Sequence, residues 1–206
     1  MIKGAVFDFG GVMTASAMPL DLKAVADELG IAWETAILAG FGAHRLKYDQ
    51  GLISLSELYD LILGDAGVKL DDKARARVEA ADTASWLRRN EATLGWMRRL
   101  KTQGLKIGIL TNMAPGFTPL FRERFADFVA LADAVVISGE ERLVKPMAEI
   151  YRLLEKRIAL APEELCFVDD LEKNCEAARR CGWRAVRFEG VERTAAALDE
   201  ILGRRG

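Results

Sequence analysis

The chain has 206 residues, of which 50% are hydrophobic and 29% are charged, and its formal net charge is −2. This length suits one domain with a modest insertion, and the near balance of charge gives no electrostatic case for binding nucleic acid or an anionic membrane. The three cysteines are an odd number without a C-x-x-C spacing, which argues against a disulfide framework or a zinc site and favours a reducing, cytoplasmic location.

An early apolar run ends in an aspartate and two glycines. Residues Ile2–Phe9 read I-K-G-A-V-F-D-F and are followed by Gly10 and Gly11, a pattern that predicts a buried strand opening into a tight turn. The run is too short to span a bilayer, so we expect a core strand and no membrane partner. Asp8 then lies at the end of the strand, where open α/β sheets bind ligands, as a nucleophile, a metal ligand or both.

The next segment, from about residue 19 to residue 89, has a helical pattern without a convincing strand. Apolar residues at three- and four-residue spacing predict a helix over Asp21–Leu29, which Gly30 ends. Ser54–Glu57 (S-L-S-E) has the form of a capping box and begins a second helix, which Gly64 closes. Asp71–Ala84 is predicted to be a third helix.

From residue 94 onward, helices and strands alternate. The predicted strands here are Leu105–Leu110, Ala134–Ile137, Leu165–Val168 and Arg184–Phe188. The predicted helices are Leu94–Leu100, one after Pro146, Glu172–Arg180 and Thr194–Leu202. Such an alternation favours a parallel sheet with right-handed crossovers. The sequence therefore predicts an α/β domain with a helical insertion after its first strand.

Polar residues recur where the predicted strands end. They are Asp8 after the first, Thr111 with Asn112 after the second, Lys145 after the third, and Asp169 with Asp170 after the fourth. Any one of them alone is more simply a helix cap. Because the carboxyl ends of parallel strands face one side of a sheet, four coincidences favour a single convergent site.

The residue types at these strand ends also fit one chemistry. Three carboxylates repel each other unless a cation neutralises them, which implies a hard divalent metal such as Mg²⁺. Lys145 and Thr111 would then bind an anion opposite the metal. Phosphate is the anion that fits best, because a carboxylate attacks phosphorus to form an acyl phosphate.

Four motifs together resemble those of the haloacid dehalogenase superfamily. They are F-D-F-G-G-V (7–12), I-L-T-N (109–112), V-K-P (144–146) and F-V-D-D (167–170). The chain is most similar there to the phosphatases allied to the epoxide hydrolase N-terminal domain and to bacterial alpha-D-glucose-1-phosphate phosphatases. The resemblance implies a Rossmann-like α/β core over residues 1–14 and 91–206. It also implies a small all-helical (C1-type) cap over residues 15–90, inserted after the first strand.

The resemblance implies a role for each motif residue. Asp8 would be the nucleophile, and Lys145 would bridge it to the phosphoryl oxygens. The phosphoryl-binding residues would be Thr111, the backbone N–H of Asn112, Lys145 and Gly11, whose freedom of conformation lets the main chain approach the ligand. The Mg²⁺ ligands would be Asp8, the carbonyl of Gly10, Asp170 directly, and Asp169 directly or through its waters.

Position 10 departs from the pattern of most phosphatases of this superfamily, which carry there a second aspartate that acts as general acid and base. Gly10 lacks that group, and its loss typically costs about 10²–10⁴-fold in rate. Departure of a good leaving group depends less on its protonation, which favours a sugar phosphate as substrate. We therefore expect a Mg²⁺-dependent phosphatase for a small phosphorylated metabolite. Two alternatives stay open: a haloacid dehalogenase-type carbon–halogen hydrolase, and a catalytically weak phosphate-binding or regulatory member.

The presumed cap offers candidate specificity residues. They are Phe41, His44, Arg45 and Tyr48. A lone histidine among charged residues is as readily a surface residue as a ligand. We expect a monomer or a homodimer, and the sequence does not name the substrate.

Overall fold

A computed structural model describes residues 1–203 as a five-stranded sheet flanked by helices. The strands are β1 (Gly4–Phe7), β2 (Lys106–Thr111), β3 (Ala134–Ile137), β4 (Leu165–Asp169) and β5 (Arg184–Arg187). The helices of the insertion are α1 (Leu20–Glu28), α2 (Ala39–Asp49), α3 (Leu55–Asp65) and α4 (Asp72–Ser85). The later helices are α5 (Glu91–Thr102), α6 (Thr118–Arg124), α7 (Ala126–Leu131), α8 (Ser138–Glu141), α9 (Ala148–Ile158), α10 (Glu172–Arg180) and α11 (Val191–Ile201). The last three residues of the predicted core, 204–206, lie outside the described residues.

The sheet has the strand order β3-β2-β1-β4-β5, and every pairing is parallel. β1 lies in the middle, with Gly4 opposite Lys106 on one side and Leu165 on the other. All four β1 residues are buried, as expected for a parallel strand covered on both faces. The predicted parallel α/β fold is therefore confirmed. The direction of the crossovers reverses between β1 and β4, which places the switch point of the sheet beside Asp8.

β1 is shorter than the predicted strand Ile2–Phe9 because the chain turns at Phe9. The carbonyl of Phe9 accepts hydrogen bonds from the backbone N–H groups of Met13 and Thr14 at 2.8 and 3.2 Å. The Phe9 ring packs below this turn against Phe121 and Phe125, with ring centroids 5.1 and 4.9 Å apart. The short helices α6 and α7, which the sequence analysis did not predict, thus hold the turn that follows β1.

Helices α1–α4 have a hydrophobic cluster of their own. Its fully buried members are Leu22, Ala26, Ile37, Leu58, Tyr59, Ile62 and Val78. A π-helix, Trp33–Leu38, leads directly into α2. Gly40 lets α2 approach α3, because a Cβ on it would lie 2.7 Å from the Ile62 side chain. Within residues 1–203, no helix has both the length and the apolar character needed to span a membrane.

The two connections between the sheet and these inserted helices run side by side. Thr14 and Arg89 form an antiparallel bridge, and Ala15 N–H donates to the Arg88 carbonyl at 2.7 Å. Asn90 N–H donates to the Met13 carbonyl at 2.8 Å. These pairings lie at the boundaries that the sequence predicts near residues 14 and 90, and the division into core and cap stays a prediction.

Candidate active site

The residues predicted at the strand ends converge in the structure. Asp8 directly follows β1, Thr111 ends β2 and Asp169 ends β4, and these three strands are neighbours in the sheet. Lys145 comes from the loop between α8 and α9, and its ammonium group reaches the same edge. One oxygen from each of Asp8, Asp169 and Asp170 lies within 4.8 Å of the others.

The side chain of Asn112 holds the Lys145 backbone in place. Its amide oxygen accepts a hydrogen bond from Lys145 N–H at 2.8 Å, and its amide group donates to the Lys145 carbonyl at 3.0 Å. The sequence analysis assigned only the backbone N–H of Asn112 to the site. Its side chain contributes by fixing the loop that carries the lysine.

Lys145 is a buried cation between two carboxylates. Its Nζ lies 2.7 Å from Asp8 Oδ1 and 2.7 Å from Asp169 Oδ2, and the residue is 1% exposed. Burial disfavours the ammonium charge, but the negative charges of Asp169 and Asp8 outweigh it and raise the pKa of Lys145 above the usual lysine value. Lys145 is therefore a protonated, immobile positive charge at neutral pH.

The two carboxylate oxygens of Asp8 have different surroundings. Oδ1 accepts hydrogen bonds from Phe9 N–H and from the Lys145 ammonium, both at 2.7 Å. Oδ2 has no partner among residues 1–203. Burial raises the pKa of Asp8 well above its ordinary value; Lys145 opposes this shift, while Asp169 and Asp170 add to it. One oxygen is thus fixed and the other is free to react or to bind a cation.

The adjacent carboxylates of Asp169 and Asp170 also differ. Asp169 is fully buried and accepts hydrogen bonds from Lys145, from Leu171 N–H at 2.8 Å and from the Asn174 amide at 3.0 and 3.1 Å. Asp170 is partly exposed and receives no hydrogen bond from another side chain of the described residues. Burial, with the charge of Asp169, raises the pKa of Asp170 to about 6. Asp170 is therefore the more open of the two carboxylates.

Asn174 joins this network from α10, and the sequence analysis did not assign it to the site. The signal for it is weak, because a helical asparagine five residues after Asp169 is indistinguishable from a surface residue without the fold. Two buried polar atoms at the site, Thr111 Oγ1 and Asn174 Oδ1, have no hydrogen-bond partner among the described residues. Buried polar groups are nearly always paired, so both atoms suit contacts to a bound ligand.

The glycines at positions 10 and 11 are constrained differently. Gly11 has φ +71°, and a Cβ on it would lie 2.8 Å from Asp170 Oδ2, so only glycine suits this position. A Cβ on Gly10 would meet only the Trp86 ring, at an ordinary 3.5 Å. Glycine at position 10 is therefore not required by the backbone, and the space above it is bounded by an indole.

The donor set fits Mg²⁺. All candidate ligands are carboxylate or carbonyl oxygens, which this hard cation prefers. Three carboxylates and one ammonium leave two negative charges uncompensated. Burial is the main cause of the raised pKa values of Asp8 and Asp170, and repulsion from the neighbouring carboxylates adds to it. A divalent cation at this cluster would offset both charges.

A cavity of about 450 Å³ lies between the strand ends and the inserted helices. We call the lining residues Asp8, Lys145 and Asp170 its floor, and the lining residues Phe41, Arg45, Tyr48 and Trp86 its roof. Three of the four predicted specificity residues thus line the cavity. The fourth, His44, does not, because its Nε2 pairs with the exposed Asp65 at 2.7 Å.

Arg45 is occupied by contacts within the roof. Its guanidinium carbon lies 5.2, 5.3 and 5.5 Å from the ring centroids of Phe41, Tyr48 and Trp86. Its Nε donates to Asp49 Oδ1 at 3.1 Å. Burial opposes the charge of Arg45, but the nearby carboxylates of Asp49 and Asp82 raise its pKa above the usual value. The positive charge of the roof is therefore compensated within the inserted helices.

Comparison with known proteins finds similar sequences and structures. The family described as haloacid dehalogenase-like hydrolase matches residues 2–182. The sesquiterpene phosphatase astK of Aspergillus oryzae is 27% identical over 207 residues, covering 98% of this chain and 97% of that protein. The phosphoglycolate phosphatase of Escherichia coli O157:H7 is 28% identical, covering 90% of this chain and 80% of that protein.

Two further comparisons extend this relationship. Mouse acyl-CoA dehydrogenase family member 10 is 25% identical over 98% of the chain, which spans only 19% of the length of that protein. A HAD-family enzyme of Bacteroides thetaiotaomicron, a variant in complex with magnesium and inorganic phosphate, has a TM-score of 0.68 and 20% identity. The match covers 92% of this chain and 95% of that structure. At this identity the structural likeness shows a shared fold.

Proposed function

The chain belongs to the haloacid dehalogenase-like hydrolases, and we propose that it is a Mg²⁺-dependent phosphatase that acts through a phosphoaspartate on Asp8. One observation carries the proposal: Asp8 has one oxygen fixed by Lys145 and one oxygen free, inside a cluster of oxygen donors at the floor of a cavity. Two relatives are phosphatases, and a protein of the same fold binds magnesium and inorganic phosphate.

The proposed metal ligands are Asp8, Asp170 and the carbonyl of Gly10. Asp169 would act differently, because its oxygens are already engaged with Lys145, Asn174 and a backbone N–H. We assign it the orientation of Lys145 and of water near the metal. Bound at these residues, Mg²⁺ would offset the charge of a phosphate dianion and withdraw electron density from phosphorus.

In the first proposed step, Asp8 Oδ2 attacks phosphorus and the bond from phosphorus to the ester oxygen breaks. The phosphoryl oxygens would be held by Lys145 Nζ and by the unpartnered hydroxyl of Thr111, so that charge developing on them is stabilised. The leaving oxygen departs with the electron pair and takes a proton from water. No carboxylate at position 10 supplies that proton.

In the second step, water attacks the phosphorus of the acyl phosphate. The bond between phosphorus and Asp8 breaks, inorganic phosphate is released and the carboxylate of Asp8 is restored. A proton leaves the attacking water for bulk solvent or for phosphate itself. Both steps therefore proceed without a general acid or base at position 10, and the rate depends strongly on the leaving group.

The identity of the organic group is a finer question. The favoured sugar phosphate follows from the leaving-group argument alone and stays a prediction. Carbon–halogen hydrolysis needs the same nucleophile but no metal, and the cluster with Asp169 and Asp170 favours the phosphatase over it. A weak phosphate-binding protein would retain the same floor and differ only in turnover.

The test is release of inorganic phosphate by the purified full chain from 4-nitrophenyl phosphate and glucose 1-phosphate, with Mg²⁺ and with EDTA. We expect turnover that EDTA abolishes and that the Asp8→Asn variant lacks. Halide release from 2-chloropropionate in EDTA would instead support the dehalogenase. Binding of phosphate without turnover of either ester would support the regulatory alternative.

A further inference from the structure

We infer that the organic part of the substrate is an apolar alcohol, of alkyl or prenyl type, and not the sugar that the leaving-group argument favours. An alkoxide is a poorer leaving group than an anomeric oxygen, so we expect slow turnover, with the cavity lining setting the preference. This inference rests on the proposed phosphatase function, since it assigns the occupant of the cavity above the phosphoryl site. It is carried by the chemistry of the cavity walls and of the cavity mouth.

Above the floor, the cavity walls are mainly hydrocarbon. The apolar side chains that line it are Phe9, Ala17, Met18, Pro19, Leu38, Phe41, Leu46, Trp86, Met113, Ala114, Phe117 and Leu171. They come from the turn after β1, from the inserted helices, and from the segments after β2 and β4. A cavity of this size and lining is typical of a site for a small organic ligand.

The polar groups of the walls are largely engaged within the protein. Arg45 is paired with Asp49, Asp82 accepts a hydrogen bond from Trp86 Nε1 at 3.0 Å, and Thr83 donates to the Glu79 carbonyl at 3.1 Å. The Asn112 side chain makes both of its hydrogen bonds to the Lys145 backbone, as described above.

Three polar groups of the walls are unengaged within the described residues: the hydroxyl of Tyr48, the ammonium of Lys173 and the amide oxygen of Asn174. A sugar would bring several hydroxyl groups out of water into this cavity. Each needs a hydrogen-bond partner there, and those left without one weaken binding. An apolar chain makes no such demand.

The mouth of the cavity gathers exposed apolar side chains. Among residues 1–203, nine large hydrophobic residues are exposed, and four of them line this cavity: Met18, Leu38, Leu46 and Leu171, at 42%, 41%, 47% and 45% exposure. Single exposed leucines are ordinary on a protein surface. Four that come from three separate parts of the chain and line one cavity indicate an apolar binding surface.

A second cavity of about 490 Å³ lies beside the first. The two share Tyr48, Thr83, Ala114 and Phe117. The second is lined by further apolar side chains, among them Leu52, Ile53, Leu55 and Leu120. Apolar side chains thus line both cavities on either side of the shared residues, and a chain longer than a few carbon atoms would meet further apolar surface there.

The first experiment measures kcat/KM of the Mg²⁺-loaded chain for primary n-alkyl phosphates from ethyl to octyl, beside glucose 1-phosphate. The leaving group is a primary alkoxide throughout the series, so only the apolar length changes. Burying a methylene favours binding about fourfold, so we expect kcat/KM to rise at least about tenfold from ethyl to octyl. A flat or falling series would overturn the inference, and so would a KM for glucose 1-phosphate below that for octyl phosphate. The kcat/KM of glucose 1-phosphate is not used, because its better leaving group raises the rate.

The second experiment keeps the test independent of turnover. Ethyl- and octylphosphonate, whose phosphorus–carbon bonds resist hydrolysis, are titrated calorimetrically into the Mg²⁺-loaded chain, and we expect octylphosphonate to bind at least about tenfold more tightly. Equal affinities would overturn the inference even if phosphate esters are hydrolysed. A clear preference for octylphosphonate without hydrolysis of any ester would overturn the proposed function, and with it the assignment of a substrate, and would leave only the apolar selectivity of the cavity supported.

Matched surface variants test whether the preference for octylphosphonate depends on the exposed leucines at the cavity mouth. The double variant Leu38→Gln, Leu46→Gln changes two exposed residues at the mouth, and we expect it to reduce the preference for octylphosphonate about tenfold. The control is Leu61→Gln, which alters an exposed leucine of α3 that lines neither cavity. The assignment of Leu38 and Leu46 to the binding surface would be contradicted if both proteins lost the preference for octylphosphonate equally. It would also be contradicted if neither protein lost it.

Discussion

The indole ring of Trp86 lies 3.5 Å from the point that a Cβ on Gly10 would occupy. Trp86 is itself fixed, because its Nε1 donates to Asp82 and the Arg45 guanidinium lies over its ring. The roof thus bounds the space above position 10, where related phosphatases carry a general acid. Under the proposed mechanism, the leaving group, and not a protein acid, would therefore be the main control of the first step.

The first prediction concerns Gly10→Asp. The backbone tolerates a Cβ here, so the variant should fold, and its carboxylate should protonate poor leaving groups. We expect kcat/KM for alkyl phosphates to rise by about 10²-fold, the lower end of what general acid catalysis supplies, with little change for 4-nitrophenyl phosphate. The measurement is the dependence of log kcat/KM on leaving-group pKa. An unchanged slope would show that Trp86 keeps the new carboxylate out of reach.

The second prediction concerns Lys145→Ala. Removing one partner of a buried ion pair leaves uncompensated charge, so we expect the free energy of unfolding at neutral pH to fall by about 3–5 kcal/mol. We also expect kcat/KM to fall by about 10²–10³-fold, as for loss of a group that stabilises phosphoryl charge. Urea unfolding and phosphate release measure the two effects.

The matched control for Lys145→Ala is Lys23→Ala. Lys23 pairs with Asp27 at 2.8 Å, but both side chains are well exposed, and such pairs contribute about 0–1 kcal/mol. A loss of stability in Lys145→Ala no larger than in this control would contradict the structural role of the buried ammonium group.

The strands of the sheet were predictable from the sequence because the pattern that indicates a strand lies within a few consecutive residues. Strands β1–β4 are short apolar runs, each followed closely by a glycine or a polar residue, and β3 has the predicted bounds Ala134–Ile137. The segment over α2 was not predicted, because Gly40 and Gly42 weaken its helical pattern. Its helical state depends on packing against Ile62, a tertiary contact that no local pattern reports.

The site was predictable in its strand-end residues and not in their division of labour. The sequence places Asp169 and Asp170 side by side, but only the fold shows that one is enclosed by Lys145 and Asn174 while the other is open. The contribution of Trp86 likewise depends on how the inserted helices lie over the sheet. When a residue acts by positioning another side chain, no spacing pattern in the sequence indicates that role.

The third prediction concerns pH and Mg²⁺. The pKa of Asp170 is about 6 in the folded protein, against 3.8 for an unperturbed aspartate. Since the folded state holds this proton more tightly, ionisation of Asp170 lowers the stability of the metal-free protein as the pH rises from about 4 through about 6. If Asp170 is a ligand as proposed, Mg²⁺ would bind its ionised carboxylate and reverse the loss. The rise in Tm on adding Mg²⁺ should therefore be larger near pH 7.5 than near pH 5.

The size of that effect follows from ligand linkage. Mg²⁺ at a hundredfold excess over its Kd stabilises the folded state by about 2.7 kcal/mol, or about 5–10 °C in Tm for a chain of this length. Thermal unfolding with Mg²⁺ and with EDTA at the two pH values measures it, and Asp170→Asn should lose most of the shift. A shift that is equal at both pH values would argue against Asp170 as a ligand.

The fourth prediction concerns Arg45→Met, which keeps the apolar stem and removes the charge. Because Arg45 forms a partly buried ion pair with Asp49, we expect the free energy of unfolding to fall by about 2 kcal/mol. This value lies between the losses typical of exposed and of buried ion pairs. Its charge is not directed at the floor, so the affinity for inorganic phosphate should stay unchanged. Weaker phosphate binding at unchanged stability would instead identify Arg45 as an anion ligand.

The fifth prediction concerns Thr111→Val, which exchanges a hydroxyl group for a methyl group of nearly the same volume. The hydroxyl is buried and has no partner within the described residues, so its removal should not lower Tm in the absence of ligands and could raise it slightly. If this hydroxyl binds the phosphoryl group, the same substitution should lower kcat/KM by about 10–10²-fold, as expected for one lost donor. Thr111→Ser, which keeps the hydroxyl group, should retain most of the activity. A Thr111→Val protein that loses stability and keeps full activity would show that the hydroxyl stabilises the fold. A ligand-binding hydroxyl would give the opposite result, which is unchanged stability with a lower rate.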